Sequence, residues 1–173
     1  MRVLALSSQK GGSGKTTLSG HLAVQAQRVG YGPVCLIDID PQGSLADWWN
    51  EREDDMPAFA QTTVARLGAD LEVLRQQGFR LAVVDTPPAI TMAIQSVIQV
   101  AELVVIPTRP SPHDLRAVGA TVDLCERAGK PSSSSSTRRP PRPRSPTRPR
   151  SRCRSTAPSP PSLSTTAPIS PPR

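Results

Sequence analysis

Residues 10–17 read Lys10-Gly11-Gly12-Ser13-Gly14-Lys15-Thr16-Thr17. They follow a short apolar run, Val3–Leu6, and lead into Thr16–Val29, whose apolar residues are spaced three and four apart as on one helix face. Glycines let the backbone curl so that successive N–H groups point inward, and the start of a helix adds the positive end of its dipole. A strand, a glycine-rich loop and a helix in this order predict a phosphate-binding loop; the alternative is a glycine-rich turn without a ligand.

The loop pattern also assigns roles to single residues. We expect Lys15 to contact the β- and γ-phosphates of a nucleotide and the Thr16 hydroxyl to ligate Mg²⁺. The other candidate nucleotide-binding residues are Gly11, Gly12, Ser13, Gly14 and Thr17. The generic pattern places a glycine where this chain has Gln9, and the chain adds a second lysine, Lys10.

Short apolar runs alternate with amphipathic segments over the first 130 residues. The expected strands are Val3–Leu6, Val34–Ile39, Leu81–Val84 and Leu103–Ile106. The expected helices are Thr16–Val29, Leu45–Arg52, Thr63–Gln77, Ile90–Val100 and Pro112–Ala128. Short apolar strands alternating with helices predict a doubly wound α/β fold, with a parallel sheet covered on both faces. In such sheets ligands bind at the carboxyl ends of the strands.

Carboxylates stand at two of these strand ends. Asp38 and Asp40 lie two residues apart, so their side chains share one face of the second strand. Asp85 follows the apolar run Leu81–Val84. Beside a phosphate-binding loop such carboxylates can support a magnesium shell and orient a water, whereas the alternative is that Asp38 and Asp40 only cap the strand end.

Several motifs resemble those of the ParA/MinD family of ATPases. The additional Lys10 is similar to the deviant phosphate loop (deviant Walker A) of that family. Residues 38–42, Asp-Ile-Asp-Pro-Gln, and residues 85–88, Asp-Thr-Pro-Pro, resemble further family motifs in family order. Residues 101–115 resemble the strand and loop that end in Pro-x-x-Pro-Ser, and the Trp48-Trp49 pair is similar to short plasmid-type ParA proteins. The resemblance covers about residues 1–130.

The resemblance implies a P-loop NTPase-like fold and Mg²⁺-dependent ATP hydrolysis in plasmid or chromosome partition. It implies that Lys10 reaches the nucleotide of a dimer partner, although Lys10 could instead only solvate the loop edge. It makes Asp40 the residue that positions the attacking water, Asp38 a support for the loop and the outer shell of the metal, and Asp85 a carboxylate that reaches Mg²⁺ through water. The implied partners are a second copy on ATP binding, a ParB-like stimulating protein and non-specific DNA, in a cytoplasmic, nucleoid-associated setting without a membrane.

The composition changes at about residue 130. Residues 1–130 hold 12 basic and 14 acidic residues, whereas residues 131–173 hold nine arginines and no acid. In the second segment, 38 of the 43 residues are Ser, Pro, Thr or Arg, so it has too little apolar surface to offset the entropy of ordering. We therefore expect a nucleotide-binding domain over 1–130 and a disordered basic tail over 131–173.

The family resemblance makes the domain C-terminally incomplete, because a buried strand ending in an adenine-contacting Asn should follow. The chain's single asparagine is Asn50, and at the expected place stand five serines and a threonine, residues 132–137. The codons TTC ATC TTC GTC GTC AAC encode Phe-Ile-Phe-Val-Val-Asn, and reading them one base later gives five serines followed by threonine. We hypothesise that the tail is frameshifted coding sequence, the alternative being a genuine Pro/Arg/Ser-rich arm.

Two classes of function follow from these features. The first is the ParA-like ATPase. The second is a catalytically inactive nucleotide-binding stub whose arginine-rich tail binds nucleic acid non-specifically through phosphates. MinD-like membrane attachment is disfavoured because the tail prolines forbid a C-terminal amphipathic helix.

The cysteines and histidines add no further site. Cys35, Cys125 and Cys153 lack the spacing of metal ligands or of a disulfide framework, and no segment resembles a signal peptide or a membrane span, which favours a reducing cytoplasmic setting. His21 and His113 have no partner with ligand or triad spacing and are expected to lie on a helix face or in a loop.

Overall fold

The computed structural model describes residues 1–88 and 92–136, except for the side chains of residues 92 and 93. The strands in this part are β1 Arg2–Leu6, β2 Val34–Asp38, β3 Ala58–Gln61, β4 Leu81–Asp85, β5 Leu103–Thr108 and β6 Ser132–Ser136. The helices are α1 Lys15–Arg28, α2 Ser44–Asn50, α3 Val64–Gln76, α4 Met92–Val100 and α5 Pro112–Arg127.

The strands form one sheet in the order β3-β2-β4-β1-β5-β6, and every neighbouring pair is parallel. Helices α1 and α2 cover one face and bury a cluster of Leu6, Ala23, Val34, Leu36, Leu45 and Val83. Helices α3, α4 and α5 cover the other face, on which the second cluster includes Leu67, Leu71, Ile94, Val97, Ile98 and Cys125. Since both faces are covered, β2 is buried along its whole length, and the predicted doubly wound parallel sheet is confirmed.

Strand β3 is absent from the sequence prediction. Its four residues, Ala58–Gln61, are partly or fully exposed because the strand lies at one edge of the sheet, paired only with β2. A short edge strand carries neither a continuous apolar run nor a clear alternation, and those are the patterns on which strand prediction rests.

Strand β6 corrects the predicted domain boundary. The sequence placed the end of the ordered domain at residue 130, but Ser132–Ser136 pairs with β5 in a register from Val104↔Ser132 to Thr108↔Ser136. Composition failed here because main-chain hydrogen bonds can extend a sheet without apolar side chains, and these serines remain mostly exposed. Residues 137–173 lie outside the described residues, so the disordered tail stays a prediction there.

Helix lengths bear on the expected absence of a membrane span. Within residues 1–88 and 92–136, no helix has the length and apolar character that crossing a bilayer demands.

Candidate nucleotide-binding site

The glycine-rich loop lies between the carboxyl end of β1 and the start of α1. Gly12 and Gly14 have φ of 69° and 91°, a left-handed conformation that glycine adopts at little cost. Gly14 occupies the N-cap of α1, and within the described chain no side chain caps it. The first N–H groups of α1 therefore remain available to an anion.

Lys15 is the buried cation of the loop. Its side chain extends back over the loop, with Nζ donating to the Ser8 carbonyl at 3.4 Å, and the residue is only 6% exposed. Burial lowers the pKa of Lys15, while the carboxylates of Asp85 and Asp40 act in the opposite direction. Within the described residues no carboxylate forms an ion pair with Nζ. An anionic ligand would therefore supply the direct partner that this buried ammonium lacks.

Asp85 and Asp38 lie side by side at the carboxyl ends of β4 and β2, where they are register partners. Asp85 accepts hydrogen bonds from Thr16 Oγ1 at 2.7 Å on Oδ2 and from Ser19 Oγ at 3.0 Å on Oδ1. Burial raises the pKa of Asp85 to about 6, against the effect of these two hydroxyl donors. The structure thus brings together three predicted metal-site residues, Thr16, Asp38 and Asp85, at the carboxyl ends of β2 and β4.

Asp38 and Asp40 have different surroundings. Asp38 is fully buried, its Oδ1 accepts from the Asp40 N–H at 2.9 Å, and burial raises the pKa of Asp38. Asp40 is partly exposed, and its Oδ1 accepts from the Gln42 N–H at 3.0 Å. Asp40 also borders a surface cavity of about 420 Å³ at the ends of β2 and β3. Of the two carboxylates, only Asp40 is open to a solvent molecule.

Lys10 pairs with a carboxylate of its own chain. Its Nζ lies 2.5 Å from Oδ1 of Asp114, a residue that is 7% exposed in the first turn of α5. The Asp114 N–H donates to the Oγ of the N-cap Ser111 at 3.2 Å, which fixes this turn. The hydrogen bond from Lys10 lowers the pKa of Asp114. The sequence alone does not predict Asp114 as the partner of Lys10.

Arg109 also contacts the phosphate-binding loop, and the sequence alone does not predict this contact. Its guanidinium donates to the carbonyl of Gly12, which ties the loop after β5 to the phosphate-binding loop. A cavity of about 320 Å³ lies at this junction, and it is lined by Gly12, Ser13, Gly14, Thr17, Leu18, His21 and Arg109. The sequence signal for Arg109 is its position directly after the strand Leu103–Thr108, because ligands bind at the carboxyl ends of parallel strands.

The donor atoms at the end of β4 fit a hard divalent cation. Across the described ranges no three His, Cys, Asp or Glu side chains cluster, so any metal would be held by the oxygens of Thr16, Asp38 and Asp85 together with ligand and water oxygens. An all-oxygen set with two carboxylates suits Mg²⁺, which usually keeps waters and shares phosphate ligands.

The sequence profile of the CobQ/CobB/MinD/ParA nucleotide-binding domain matches residues 4–129. The chain belongs to this family. The resemblance inferred from Lys10 and the three strand-end motifs is thereby confirmed. The roles predicted for the single site residues of this chain stay predictions.

Two relatives and one solved structure illustrate the breadth of this CobQ/CobB/MinD/ParA family. A "Maintenance of carboxysome distribution protein A" from Gloeobacter kilaueensis is 46% identical over 125 residues, covering 70% of this chain and 55% of its own length. The "Chromosome-partitioning ATPase Soj" of Thermus thermophilus is 29% identical and is covered over 64% of its length, against 75% of this chain. This chain therefore spans a little over half the length of the Gloeobacter relative.

A solved structure shares the fold alone with this chain. The structure of cobyrinic acid a,c-diamide synthase from Mycobacterium smegmatis, which holds ADP and magnesium, superposes with a TM-score of 0.61 at 20% identity. The match covers 78% of this chain and 73% of the synthase. The P-loop NTPase-like α/β architecture is therefore shared with a protein of 20% sequence identity.

Proposed function

We propose that this chain binds ATP with Mg²⁺ and hydrolyses it as a ParA-type ATPase. The observation that carries the proposal is Lys15, a buried lysine without an ion pair among the described residues, at the start of a helix that no described side chain caps. A triphosphate would place negative charge in direct contact with the Lys15 ammonium, which no carboxylate of the described residues does. The ADP and magnesium held by the structurally similar synthase support the same ligand class.

In the proposed reaction the site residues have separate roles. The loop residues Gly11–Thr17 hold the phosphates, and Lys15 contacts the β- and γ-phosphates. Thr16 and Asp85 hold the metal side of the site with Asp38 behind them, and Mg²⁺, when bound, neutralises charge on the phosphate oxygens. Asp40 accepts a hydrogen bond from the attacking water and orients it in line with the phosphorus.

Lys10 has its proposed role in a homodimer. On ATP binding, two copies associate, and Lys10 leaves Asp114 to contact the nucleotide of the partner copy. The half-exposed Lys10 side chain supports this step, since release from one carboxylate frees it without unfolding any element.

The proposed cargo is DNA, in plasmid or chromosome partition with a ParB-like stimulating protein at the nucleoid. The relationship to the Thermus partitioning ATPase supports this cargo. A second candidate is the positioning of carboxysomes, which the more similar Gloeobacter protein favours. A fluorescent fusion distinguishes the two: foci that follow a plasmid or chromosomal origin support partition, and foci that follow a carboxysome shell protein support the second candidate.

Nucleotide binding and turnover of the purified full chain test the ATPase proposal. We expect Lys15→Ala to abolish ATP binding, and Asp40→Ala to retain binding but lose hydrolysis, because Asp40 contacts water rather than phosphate. Asp47→Ala, which removes an exposed carboxylate from α2, is the matched control and should hydrolyse ATP normally. Wild-type protein that binds no ATP, with DNA binding that is lost when residues 131–173 are deleted, would instead establish the nucleic-acid-binding stub.

A further inference from the structure

Ser19 contacts the site from a position that the phosphate-loop motif does not include. It lies in α1 one helical turn after Thr16, it is fully buried, and its Oγ donates to Oδ1 of Asp85 at 3.0 Å. Residues three apart on a helix share a face, so Thr16 and Ser19 present their hydroxyls to the same carboxylate.

The two hydroxyls bind different oxygens of the Asp85 carboxylate. Thr16 donates to Oδ2 of Asp85 and Ser19 donates to Oδ1, so each oxygen has its own donor. Rotation of the carboxyl group about its bond to Cβ would break both hydrogen bonds. Because Asp85 is buried, an oxygen that lost its donor would not regain one from bulk water.

We propose that Ser19 is a positioning residue, whose buried hydroxyl holds Oδ1 of Asp85 so that Oδ2 stays directed at Thr16 and the Mg²⁺ affinity of the nucleotide complex is raised. The inference rests on the proposed function, because it concerns the same metal site. The Ser19 hydroxyl donates to Asp85, whereas the Lys15 ammonium donates to the Ser8 carbonyl, so the loss of this hydroxyl should act on the metal side of the site.

A Mg²⁺ titration of mant-ADP binding by the full chain tests this role without requiring turnover. We expect Ser19→Ala to raise the half-saturating Mg²⁺ concentration about tenfold, the usual effect of losing a hydrogen bond to a charged group. Its mant-ADP affinity in EDTA should stay within about twofold of wild type, because the loop contacts are intact. Thr121→Val is the matched control: it removes an equally buried hydroxyl, from α5, and should leave the Mg²⁺ titration unchanged.

A double-mutant cycle separates positioning from a general structural effect. Ser19→Ala should add little to the Mg²⁺ defect of Asp85→Asn, because the hydroxyl acts through that carboxylate. An unchanged Mg²⁺ titration in folded Ser19→Ala, or full additivity with Asp85→Asn, would overturn the inference while leaving the proposed function intact. Wild-type protein that binds no mant-ADP with Mg²⁺ would overturn both.

Discussion

Burial makes the carboxylate of Asp85 easier to protonate than that of an exposed aspartate. Its pKa is about 6 in the folded chain against 3.8 for the free side chain, so folding favours the protonated form. The stabilisation that this proton provides is complete below about pH 4 and is lost as the pH rises through about 6. The apo protein should therefore become less stable between pH 4 and pH 7 on account of this residue.

Asp85→Asn isolates this contribution. Relative to the variant, wild-type protein should lose up to about 3 kcal/mol of unfolding free energy between pH 4 and pH 7, because the variant has no proton to release at this position. Urea denaturation of both proteins across that range measures the difference. Burial raises the pKa of Asp38 too, and the charge of Asp38 raises the pKa of Asp85, so the difference measures Asp85 together with its coupling to Asp38. A wild-type-minus-variant difference that is constant with pH would contradict the prediction.

The pairing of Lys10 with Asp114 predicts a difference in amine reactivity. Asp114→Asn removes the charge that holds the Lys10 ammonium, so acylation of Lys10 by an N-hydroxysuccinimide ester should become about threefold faster. Peptide mass spectrometry resolves the three lysines of the chain, and Lys130 serves as the internal reference because it lies outside this ion pair. Equal rates in the two proteins would mean that Asp114 does not restrain Lys10 in solution.

Among the elements, α1 and α2 meet at an unusually close approach. A Cβ built on Gly20 of α1 would lie 2.8 Å from the Trp48 ring of α2, and that ring also carries the Arg52 guanidinium 5.3 Å from its centroid. The ring is therefore held on two sides and has little room to move. Glycine at residue 20 is required by packing rather than by backbone conformation.

Gly20→Ala should destabilise the chain by about 1–2 kcal/mol, because the overpacking cost exceeds the roughly 1 kcal/mol that alanine gains over glycine in a helix. Gly68→Ala in α3 is the matched control: no atom lies within 4 Å of its added Cβ, so only the helix gain remains and stability should rise. Urea midpoints measure both changes. Combining Gly20→Ala with Trp48→Leu should recover part of the loss, and a Gly20→Ala variant as stable as Gly68→Ala would exclude the predicted clash.

The sequence predicted the elements that carry strong local patterns, namely the phosphate-binding loop, the central strands and all five described helices. It placed Thr16, Asp38 and Asp85 together because the carboxyl ends of parallel strands lie at the same end of the sheet. It missed β3, whose edge position requires no apolar pattern. It also missed the contacts from Ser19 to Asp85 and from Lys10 to Asp114, since these partners are 66 and about 100 residues apart and only the folded sheet brings them together.

At the scale of the whole molecule, the sheet ends on an edge that side chains do little to protect. Strand β6 consists only of serines, four of the five are exposed, and within the described residues it has β5 as its one neighbour. On the face covered by α1, Leu103 of β5 remains 37% exposed. Doubly wound sheets usually bury both faces of such a strand, so five serines at this position are unusual for the architecture.

The gene sequence provides the test of the frameshift hypothesis at this scale. Across codons 125–175, the frame that begins one base before the serine codons should read an apolar strand of the form Phe-Ile-Phe-Val-Val-Asn and continue into further strand and helix patterns. Ser132–Ser136 lies in the β6 position beside β5, which is where a buried strand would extend the sheet, and the Gloeobacter relative is nearly twice as long as its matched part. Serine codons with no apolar reading in either other frame would instead establish the arginine-rich tail as genuine coding sequence. The salt dependence of DNA binding by the full chain, compared with a chain ending at residue 136, would then be the informative measurement.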